Sequence, residues 1–289
     1  MNTACITFAL ISSACFGLAL IVTQFGLRHV PAVAGAFIAI PCMTVLFWVL
    51  CPVFLDIGEW HLKAGVIFAV VGLFFPAVVT LLTYEANQRI GPMAAGAVGS
   101  TAPLFAAAIA VLFLGERLSV LGTLAILAIL AGIVVIGWQP GKPAQRWPSR
   151  LLLLPLTAAA LRGLAHALIK LGLMLWPSAF AASLIGYTVS TAVVAGGARL
   201  KLGTLRPRLN AKGMLWFSLV GLCNGLAVLT MYAALNYGPV TVVSPIVATY
   251  PLFTLVFGTV LLPRHGLTRQ AGAGVVLTVA GVVGLLVAR

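Results

Sequence analysis

The sequence has 289 residues, of which 62% are hydrophobic and only 7% charged, and its mean hydropathy is +1.16. A soluble domain keeps about a quarter of its residues charged so that its surface stays hydrated. This composition therefore excludes a soluble globular protein and predicts an integral membrane protein, with the lipid bilayer as a partner. The net charge of +13 does not predict a nucleic-acid partner, because loop lysines and arginines set the orientation of a membrane protein.

Ten apolar runs, each about 20 residues long and able to cross a bilayer as a helix, follow one another along the chain. Because lipid offers backbone groups no hydrogen-bond partner, each run must be helical. The runs lie at 3–25, 31–55, 63–87, 91–114, 119–138, 150–174, 177–200, 212–236, 239–262 and 268–288. The sequence thus predicts an all-α membrane protein with ten transmembrane helices.

The two halves of the chain repeat each other. Tyr84 lies 19 residues before Pro103, and Tyr232 lies 19 residues before Pro251. Because each half has an odd number of helices, the second copy enters the membrane in the opposite sense, an arrangement associated with alternating-access transport. We therefore predict two inverted five-helix repeats around a central cavity. The predicted domains are 1–138 and 150–289, with a linker at 139–149.

Pro103 and Pro251 fall in the middle of their spans. A proline there removes a helical hydrogen bond, so each is expected to kink its helix and free a carbonyl group. Matched kinks in matched helices suit a hinge around a central cavity. A static bend is the alternative.

A doubled Pro-Leu-Phe motif, at 103–105 and 251–253, carries a family resemblance. After the first copy come about ten apolar residues, then Gly115-Glu116-Arg117-Leu118 and a glycine-rich closing helix. In these motifs the chain resembles the EamA family of the drug/metabolite transporter superfamily over nearly its whole length. The resemblance implies a ten-span transporter with a cavity between its halves, similar to the YddG-type bacterial amino-acid exporters.

The sequence departs from the family pattern in the second repeat. The Gly-Glu of the first repeat is replaced there by Arg264-His265. The first helix of each repeat often has an aromatic residue followed by glycine; here that pair is Phe16-Gly17 in one half and Arg162-Gly163 in the other. The arginine at a usually aromatic position is the most individual feature of this chain.

Arg162, His166 and Lys170 are spaced four residues apart on the sixth predicted helix, so they share one face. Arg162 lies about halfway along its span, where a charge cannot face lipid. One interpretation is a basic strip that lines the cavity and binds the carboxylate or phosphate of a substrate. The alternative has Arg162 bound to helix-end carbonyls or a distant acid, His166 packed in the core, and Lys170 reaching the lipid headgroups.

Aromatic and amide side chains complete the predicted site. Tyr84 and Tyr232 occupy equivalent positions in the repeat, which favours a place near the pseudo-two-fold axis, although a tyrosine near a helix end often belongs to the interfacial belt. The predicted substrate-binding residues are Arg162, His166, Tyr84, Tyr232, Phe16, Asn224 and Tyr250. Further polar candidates are Ser12, Ser13, Gln24, Ser100, Thr101, Tyr187 and Ser244.

Acidic residues are few, and none lies deep in a span: Asp56, Glu59, Glu85 and Glu116. We expect Glu85 to pair with Arg89 and Glu116 to complement the dipole of the helix that follows it. This distribution argues against exchange of protons for cationic drugs at an embedded acid. The five cysteines lie in apolar segments without paired spacing, so we expect no disulfide, no metal site and no cofactor.

Together these features predict a secondary transporter that exports a small anionic or zwitterionic metabolite, such as an amino acid, by alternating access. One alternative is translocation of a lipid-linked or phosphorylated anion. A membrane-embedded enzyme is the third, but no catalytic motif supports it. We expect a multi-pass protein of the cell's inner (plasma) membrane, acting on a small-molecule substrate. The sequence leaves the oligomeric state open, with a monomer as the simplest expectation.

The positive charges of the loops bear on orientation. With cytoplasmic termini, the inner side would hold only Lys63, Arg117, Lys170 and Arg289, against twelve lysines and arginines outside. The positive-inside rule therefore favours termini outside the cytoplasm. The family resemblance favours the opposite orientation. We follow the charge count, because it is a property of this chain.

Overall fold

The computed structural model describes residues 3–55, 60–137, 149–202, 210–261 and 269–287. Within these ranges the regular structure is entirely α-helical. Eight helical segments are long and apolar enough to cross a membrane, and two shorter apolar helices, Val120–Ile136 and Gly272–Val287, complete ten spans. The predicted fold class is confirmed. Residues 139–148, nearly all of the linker predicted at 139–149, lie outside the described residues.

Twelve helices are described because some spans are divided. The first half contains α1 (Thr3–Leu27), α2 (Ala32–Phe54), α3 (Leu62–Gly72), α4 (Ala77–Gly99), α5 (Ala102–Leu114) and α6 (Val120–Gly137). The second half contains α7 (Ser149–Leu175), α8 (Ala179–Leu202), α9 (Ala211–Tyr237), α10 (Val240–Val247), α11 (Tyr250–Leu261) and α12 (Arg269–Val287).

A glycine divides α4 between two spans. Gly91 has φ 80° and ψ 161°, a backbone conformation outside the helical region that glycine adopts without a steric penalty. The third span therefore ends at Gly91, and the chain re-enters the membrane with the rest of α4 and α5. In the second half, α9 ends at Tyr237 and α10 and α11 form the equivalent ninth span.

The fourth and ninth spans are each broken near the middle. Pro103 is the second residue of α5, and Pro251 is the second residue of α11. A proline in the first turn of a helix costs little, because its missing N–H would have no helical acceptor there. The prolines thus do not lie inside continuous, kinked helices, as the sequence suggested. They begin new helices after a break, and their role as hinges stays a prediction.

The two halves interlock. In the first half, α1 packs against α9 and α11, and α6 packs against α12. Likewise α7, the first helix of the second half, packs against α4 and α5. The most extensive helix contacts therefore join one half to the other, and the space between the halves is the centre of the molecule.

Close glycine contacts reveal the symmetry of the repeats. A Cβ atom on Gly17 would lie 2.8 Å from the carbonyl oxygen of Tyr250, and one on Gly163 would lie 2.9 Å from that of Ala102. Tyr250 and Ala102 each precede the matched proline of their half. In each repeat, the glycine of the first helix thus contacts the residue that precedes the matched proline of the other repeat.

The closing helices show the same relation. A Cβ atom on Gly132 would lie 2.7 Å from the carbonyl oxygen of Gly274, and one on Gly281 would lie 2.9 Å from that of Ala125. Gly132 aligns with Gly281, and Ala125 aligns with Gly274, at the same offset in the chain. The contact between α6 and α12 is therefore self-complementary, as an inverted pair requires. Small residues let the two backbones approach closely.

The helices define two ends of the bundle. We call the end where α1 begins and α12 finishes the terminal end, and the end where α1 finishes and α7 begins the linker end. At the terminal end, Glu116 accepts hydrogen bonds from the backbone N–H groups of Val240, at 2.8 Å, and Thr241, at 2.9 Å. Its carboxylate thus stabilises the N-terminus of α10, in the other half, and not the following helix as the sequence suggested.

Lys170 lies at the same end. Its Nζ donates hydrogen bonds to the carbonyl oxygens of Leu235, at 2.6 Å, and Gly238, at 3.0 Å, where α9 finishes. A cation at a helix C-terminus is favourable because the last carbonyls have no helical donor. Lys170 therefore does not reach the lipid headgroups. Together with Glu116 it fixes the junction of α9 and α10.

Candidate functional site

A cavity lies between the two halves, among α1, α4, α7, α9 and the start of α11. The centres of water molecules can occupy about 70 Å³ of it, which is room for several waters. Five residues of the predicted site line it: Phe16, Tyr84, Arg162, Asn224 and Tyr250. The lining residues of α1 and α7 lie between mid-span and the linker end, so the cavity occupies that half of the bundle.

Arg162 is half-buried and lines this cavity. Its Nε is buried and has no hydrogen-bond partner. The acids in the described part of the chain are engaged elsewhere, Glu85 with Arg89 and Glu116 with the N-terminus of α10. Arg162 therefore has no counterion within the described ranges, and neither predicted structural partner, a helix-end carbonyl or a distant acid, is found there.

The position of Arg162 follows from the packing of α7. The adjacent Gly163 contacts the backbone of α5 so closely that a Cβ atom there would lie 2.7 Å from the backbone nitrogen of Ala106. This contact fixes the rotation of α7. Phe16, which precedes Gly17 in the equivalent position of the first repeat, also lines the cavity. The repeat thus relates an aromatic ring in the first half to a cation in the second.

A second, narrow space of about 10 Å³ lies next to the cavity, and we call it the extension. Arg162 and His166 line it, and it shares Phe16, Gly99 and Tyr250 with the cavity. The Nδ1 of His166 lies 3.0 Å from the Oγ of Ser244, within hydrogen-bond distance, and the ring is buried. Its Nε2 is buried without a hydrogen-bond partner. Phe75 approaches the imidazole edge-on at 6.5 Å between centroids. His166 therefore lies one helical turn deeper than Arg162 and lines this extension.

Hydrogen bonds hold the other polar walls in place. The amide of Asn224 donates to the hydroxyl of Tyr84 at 3.3 Å, which joins α9 to α4 across the cavity. The hydroxyl of Tyr250 donates to the carbonyl oxygen of Gly96 at 3.2 Å, beside the break in the fourth span. Side chains fixed in this way present a surface that is largely formed before a ligand arrives.

Two predicted residues lie away from the cavity. Tyr232 is buried in the hydrophobic core and does not line either part of the cavity. Lys170 continues the basic face of α7 but is bound to the end of α9. The structure therefore brings Arg162 and His166 together at the cavity, and the basic strip does not extend to Lys170. That these residues bind a substrate stays a prediction.

Sequence analysis missed part of the lining. Thr80 and Thr83 of α4 face the cavity beside Tyr84, and Thr23 of α1 and Phe75 also line it. Thr80 lies four residues before Tyr84, so helical spacing from the tyrosine would have found it. Thr83 directly precedes Tyr84.

Two serines proposed as lining residues instead bind other helices. Ser12 donates to the carbonyl oxygen of Ala227 at 2.7 Å, and the Oγ of Ser13 lies 3.0 Å from the Oγ1 of Thr249. These hydrogen bonds satisfy buried hydroxyls between the two halves of the chain.

A second, apolar groove of about 370 Å³ lies on the opposite face of α4, toward α2, α7 and α8. Val78 and Leu82 line it, whereas Thr83 and Tyr84 face the central cavity. Glu85 and Arg89 form the predicted ion pair beside this groove. This groove is separated from Arg162 by the width of α4.

The groups at the central cavity are suited to hydrogen bonding and to burying apolar surface. Among the described residues they comprise a guanidinium without an acidic partner, a buried imidazole, hydroxyl groups and aromatic rings. Within the described ranges, no cluster of three or more histidine, cysteine or acidic side chains could hold a metal ion. The arrangement suits binding and release of a small molecule.

Comparison with known proteins identifies relatives of this architecture. The model of the EamA-like transporter family matches residues 3–138 and 149–287. A solved crystal structure shares the fold with a TM-score of 0.78 at 16% sequence identity, over 99% of this chain and 97% of its own. No curated protein sequence matches the chain significantly.

Proposed function

The chain belongs to the EamA-like transporter family, and from that premise we propose that it exports a small anionic or zwitterionic metabolite, such as an amino acid, by alternating access. Members of the family are membrane transporters of the drug/metabolite transporter superfamily and not enzymes. The multi-pass architecture agrees with this assignment. We place its action in the inner (plasma) membrane. A monomer suffices, because residues of one chain line the whole described cavity.

Arg162 is the observation that carries the substrate class. A cation near the middle of the membrane is expensive unless it faces water or an anion. Here it faces a central cavity and has no acidic partner among the described residues. A substrate carboxylate can accept two parallel hydrogen bonds from a guanidinium, which a point charge cannot offer. The side chain is therefore free to take an anionic group from a substrate.

Alternating access is supported by the interlocked inverted repeats and by their broken spans. The cavity lies toward the linker end, while Glu116 and Lys170 fix the α9–α10 junction at the terminal end. In an inverted repeat the two halves can exchange conformations. The cavity would then open toward the terminal end and close at the linker end. The breaks before Pro103 and Pro251 supply matched points at which the fourth and ninth spans can bend.

Counterflow in proteoliposomes tests the proposal. The purified chain is reconstituted with unlabelled amino acids or organic carboxylates inside, and uptake of the same labelled compound is followed. We expect uptake above protein-free liposomes for at least one compound, and loss of that uptake in Arg162→Gln. Arg150→Gln is the matched control, because it removes an exposed charge from the start of the same helix. Full uptake by Arg162→Gln would refute the role given to Arg162.

A second candidate is translocation of a lipid-linked or phosphorylated anion. The apolar groove beside Glu85 and Arg89 favours it, because such a groove could hold an acyl or isoprenoid chain. In that case water-soluble amino acids and carboxylates would not saturate counterflow. A scramblase assay with labelled anionic lipid, repeated on Leu82→Trp to fill the groove, distinguishes the two candidates.

A further inference from the structure

The charge inside the cavity is unbalanced. Among the described residues that line the cavity and its extension, Arg162 alone bears a full charge, and the others are aromatic, aliphatic, hydroxyl, amide or small. His166 lies against a serine hydroxyl and has no acidic partner there, so we count it as neutral. Arg162 is half-buried, and a charge withdrawn in part from water without a counterion is disfavoured. The cavity therefore holds one positive charge that an anionic ligand would compensate.

Ligands of different charge compensate Arg162 to different degrees. A monoanion brings the net charge of the cavity to zero. A zwitterion pairs its carboxylate with the guanidinium, but its ammonium group leaves one positive charge behind, and none of the described lining residues is acidic. A dianion leaves one negative charge. In surroundings of low dielectric constant, either residual charge weakens binding relative to the monoanion.

The rest of the lining indicates the body of the ligand. Rings of Phe16, Phe75, Tyr187 and Tyr250 surround the space beside Arg162. Aromatic walls gain most from burying apolar or aromatic surface. The hydroxyl of Tyr250 is already bound to a backbone carbonyl, so it presents its ring more than its polar end.

We propose that the substrate is an organic monoanion, a carboxylate on an apolar or aromatic body without an ammonium group. The proposal rests on the proposed function, since it takes the Arg162 cavity as the transport site. It narrows that function by excluding zwitterionic amino acids as the preferred ligands. The charge balance and the aromatic lining are its two supports.

Three probes test the charge rule: phenylalanine and the two compounds that lack one of its charged groups. 3-Phenylpropionate carries only the carboxylate, phenylalanine carries both groups, and phenethylamine carries only the ammonium. Titration calorimetry on the purified full-length chain gives their dissociation constants. We expect 3-phenylpropionate to bind at least about tenfold more tightly than phenylalanine, a difference of about 1.4 kcal/mol, and phenethylamine not to bind. Phenyl phosphate serves as the dianionic probe and is expected to bind more weakly than 3-phenylpropionate.

Variants assign the preference to Arg162. Arg162→Gln should lose binding of 3-phenylpropionate, whereas Arg150→Gln should bind it like the original chain. Arg162→Lys keeps the charge but not the planar fork. It should therefore bind 3-phenylpropionate more weakly than the original chain does but keep the same order of affinities among the probes. This variant keeps the proposal testable if Arg162→Gln does not fold.

The outcomes separate this inference from the proposed function. Phenylalanine or phenyl phosphate binding as tightly as 3-phenylpropionate would overturn the monoanion rule, and so would an absence of 3-phenylpropionate binding. Counterflow of phenylalanine that exceeds that of 3-phenylpropionate would overturn the rule while transport stands. Tight, Arg162-dependent binding of 3-phenylpropionate without counterflow of any probe would support the rule and contradict transport.

Discussion

At the scale of single residues, Gly163 connects packing to the site. Its neighbour Arg162 lines the cavity, and its own Cα lies against α5, where an added Cβ would meet the backbone of Ala102 and Ala106 at 2.9 Å and 2.7 Å. Backbone atoms cannot move aside as the end of a flexible side chain can. The glycine is therefore required for α7 to present Arg162 to the cavity, and the equivalent Gly17 has the same relation to α11.

We predict that Gly163→Ala destabilises the protein by about 1–3 kcal/mol, the usual range for overpacking a tight contact. The expected result is a lower melting temperature in detergent. Gly196→Ala is the matched control, because a Cβ there meets nothing within 4 Å. That variant should be unchanged or slightly more stable, since alanine favours helix over glycine. Equal melting temperatures for the two variants would contradict the close contact at Gly163.

The candidate site could be predicted from the sequence only in part. Arg162 stood out because a charge at mid-span must avoid lipid. Tyr232 was misplaced, because equivalence with Tyr84 in the repeat does not require the same surroundings in both halves: Tyr84 lines the cavity and Tyr232 is in the core. The partners of Ser12 and Ser13, Ala227 and Thr249, lie 215 and 236 positions away in the chain and leave no local sequence signal.

At the scale of helices and their ends, hydropathy located the ten spans but not their internal breaks. A span is recognised by its length and apolarity, and both survive when the helix is interrupted. The break before Pro103 depends on where the helix can restart, and the turn at Gly91 depends on one positive φ. Glu116 was assigned to the wrong helix, because a sequence reveals which helix follows an acid but not which helix end approaches it in space.

Glu116 gives a prediction at this scale. Glu116→Ala removes the acceptor of two N–H groups at the start of α10, and hydrogen bonds to a charged group contribute about 1.5–3 kcal/mol each. We expect a loss of at least about 2 kcal/mol in stability, seen as a lower melting temperature. Glu116→Gln keeps one acceptor oxygen, so its melting temperature should lie between those of the original chain and Glu116→Ala.

Glu85→Ala is the control for that experiment. It also removes an acid from the chain, but among the described residues Glu85 bonds only the exposed Arg89 one helical turn away. Such pairs contribute no more than about 1 kcal/mol. If Glu85→Ala lowered the melting temperature as much as Glu116→Ala, the capping role of Glu116 would be wrong.

At the scale of the whole molecule, the even number of spans puts both termini on one side of the membrane. Twelve of the seventeen lysines and arginines fall in or near the sequence segments that join spans at the linker end. We therefore predict that the linker end faces the cytoplasm and that both termini lie outside. The cavity, which lies toward the linker end, would then be on the cytoplasmic side, where an exporter takes up its substrate.

Reporter fusions measure this orientation. Alkaline phosphatase at the C-terminus, active only outside the cytoplasm, should be active, and a green fluorescent protein at the same place should stay dark. Fusions placed after residue 202 provide the reciprocal control. Fluorescence from the C-terminal fusion would show that the family pattern prevails over the charge count.

The interlocking of the halves has a consequence for biosynthesis. The ribosome releases α1–α6 before the helices that pack against them exist. Until the last third of the chain is inserted, the hydroxyls of Ser12 and Ser13 lack their acceptor and partner on Ala227 and Thr249. The early helices then lack these interhelical hydrogen bonds, so a nascent chain stalled after α6 should be recognised by membrane quality control.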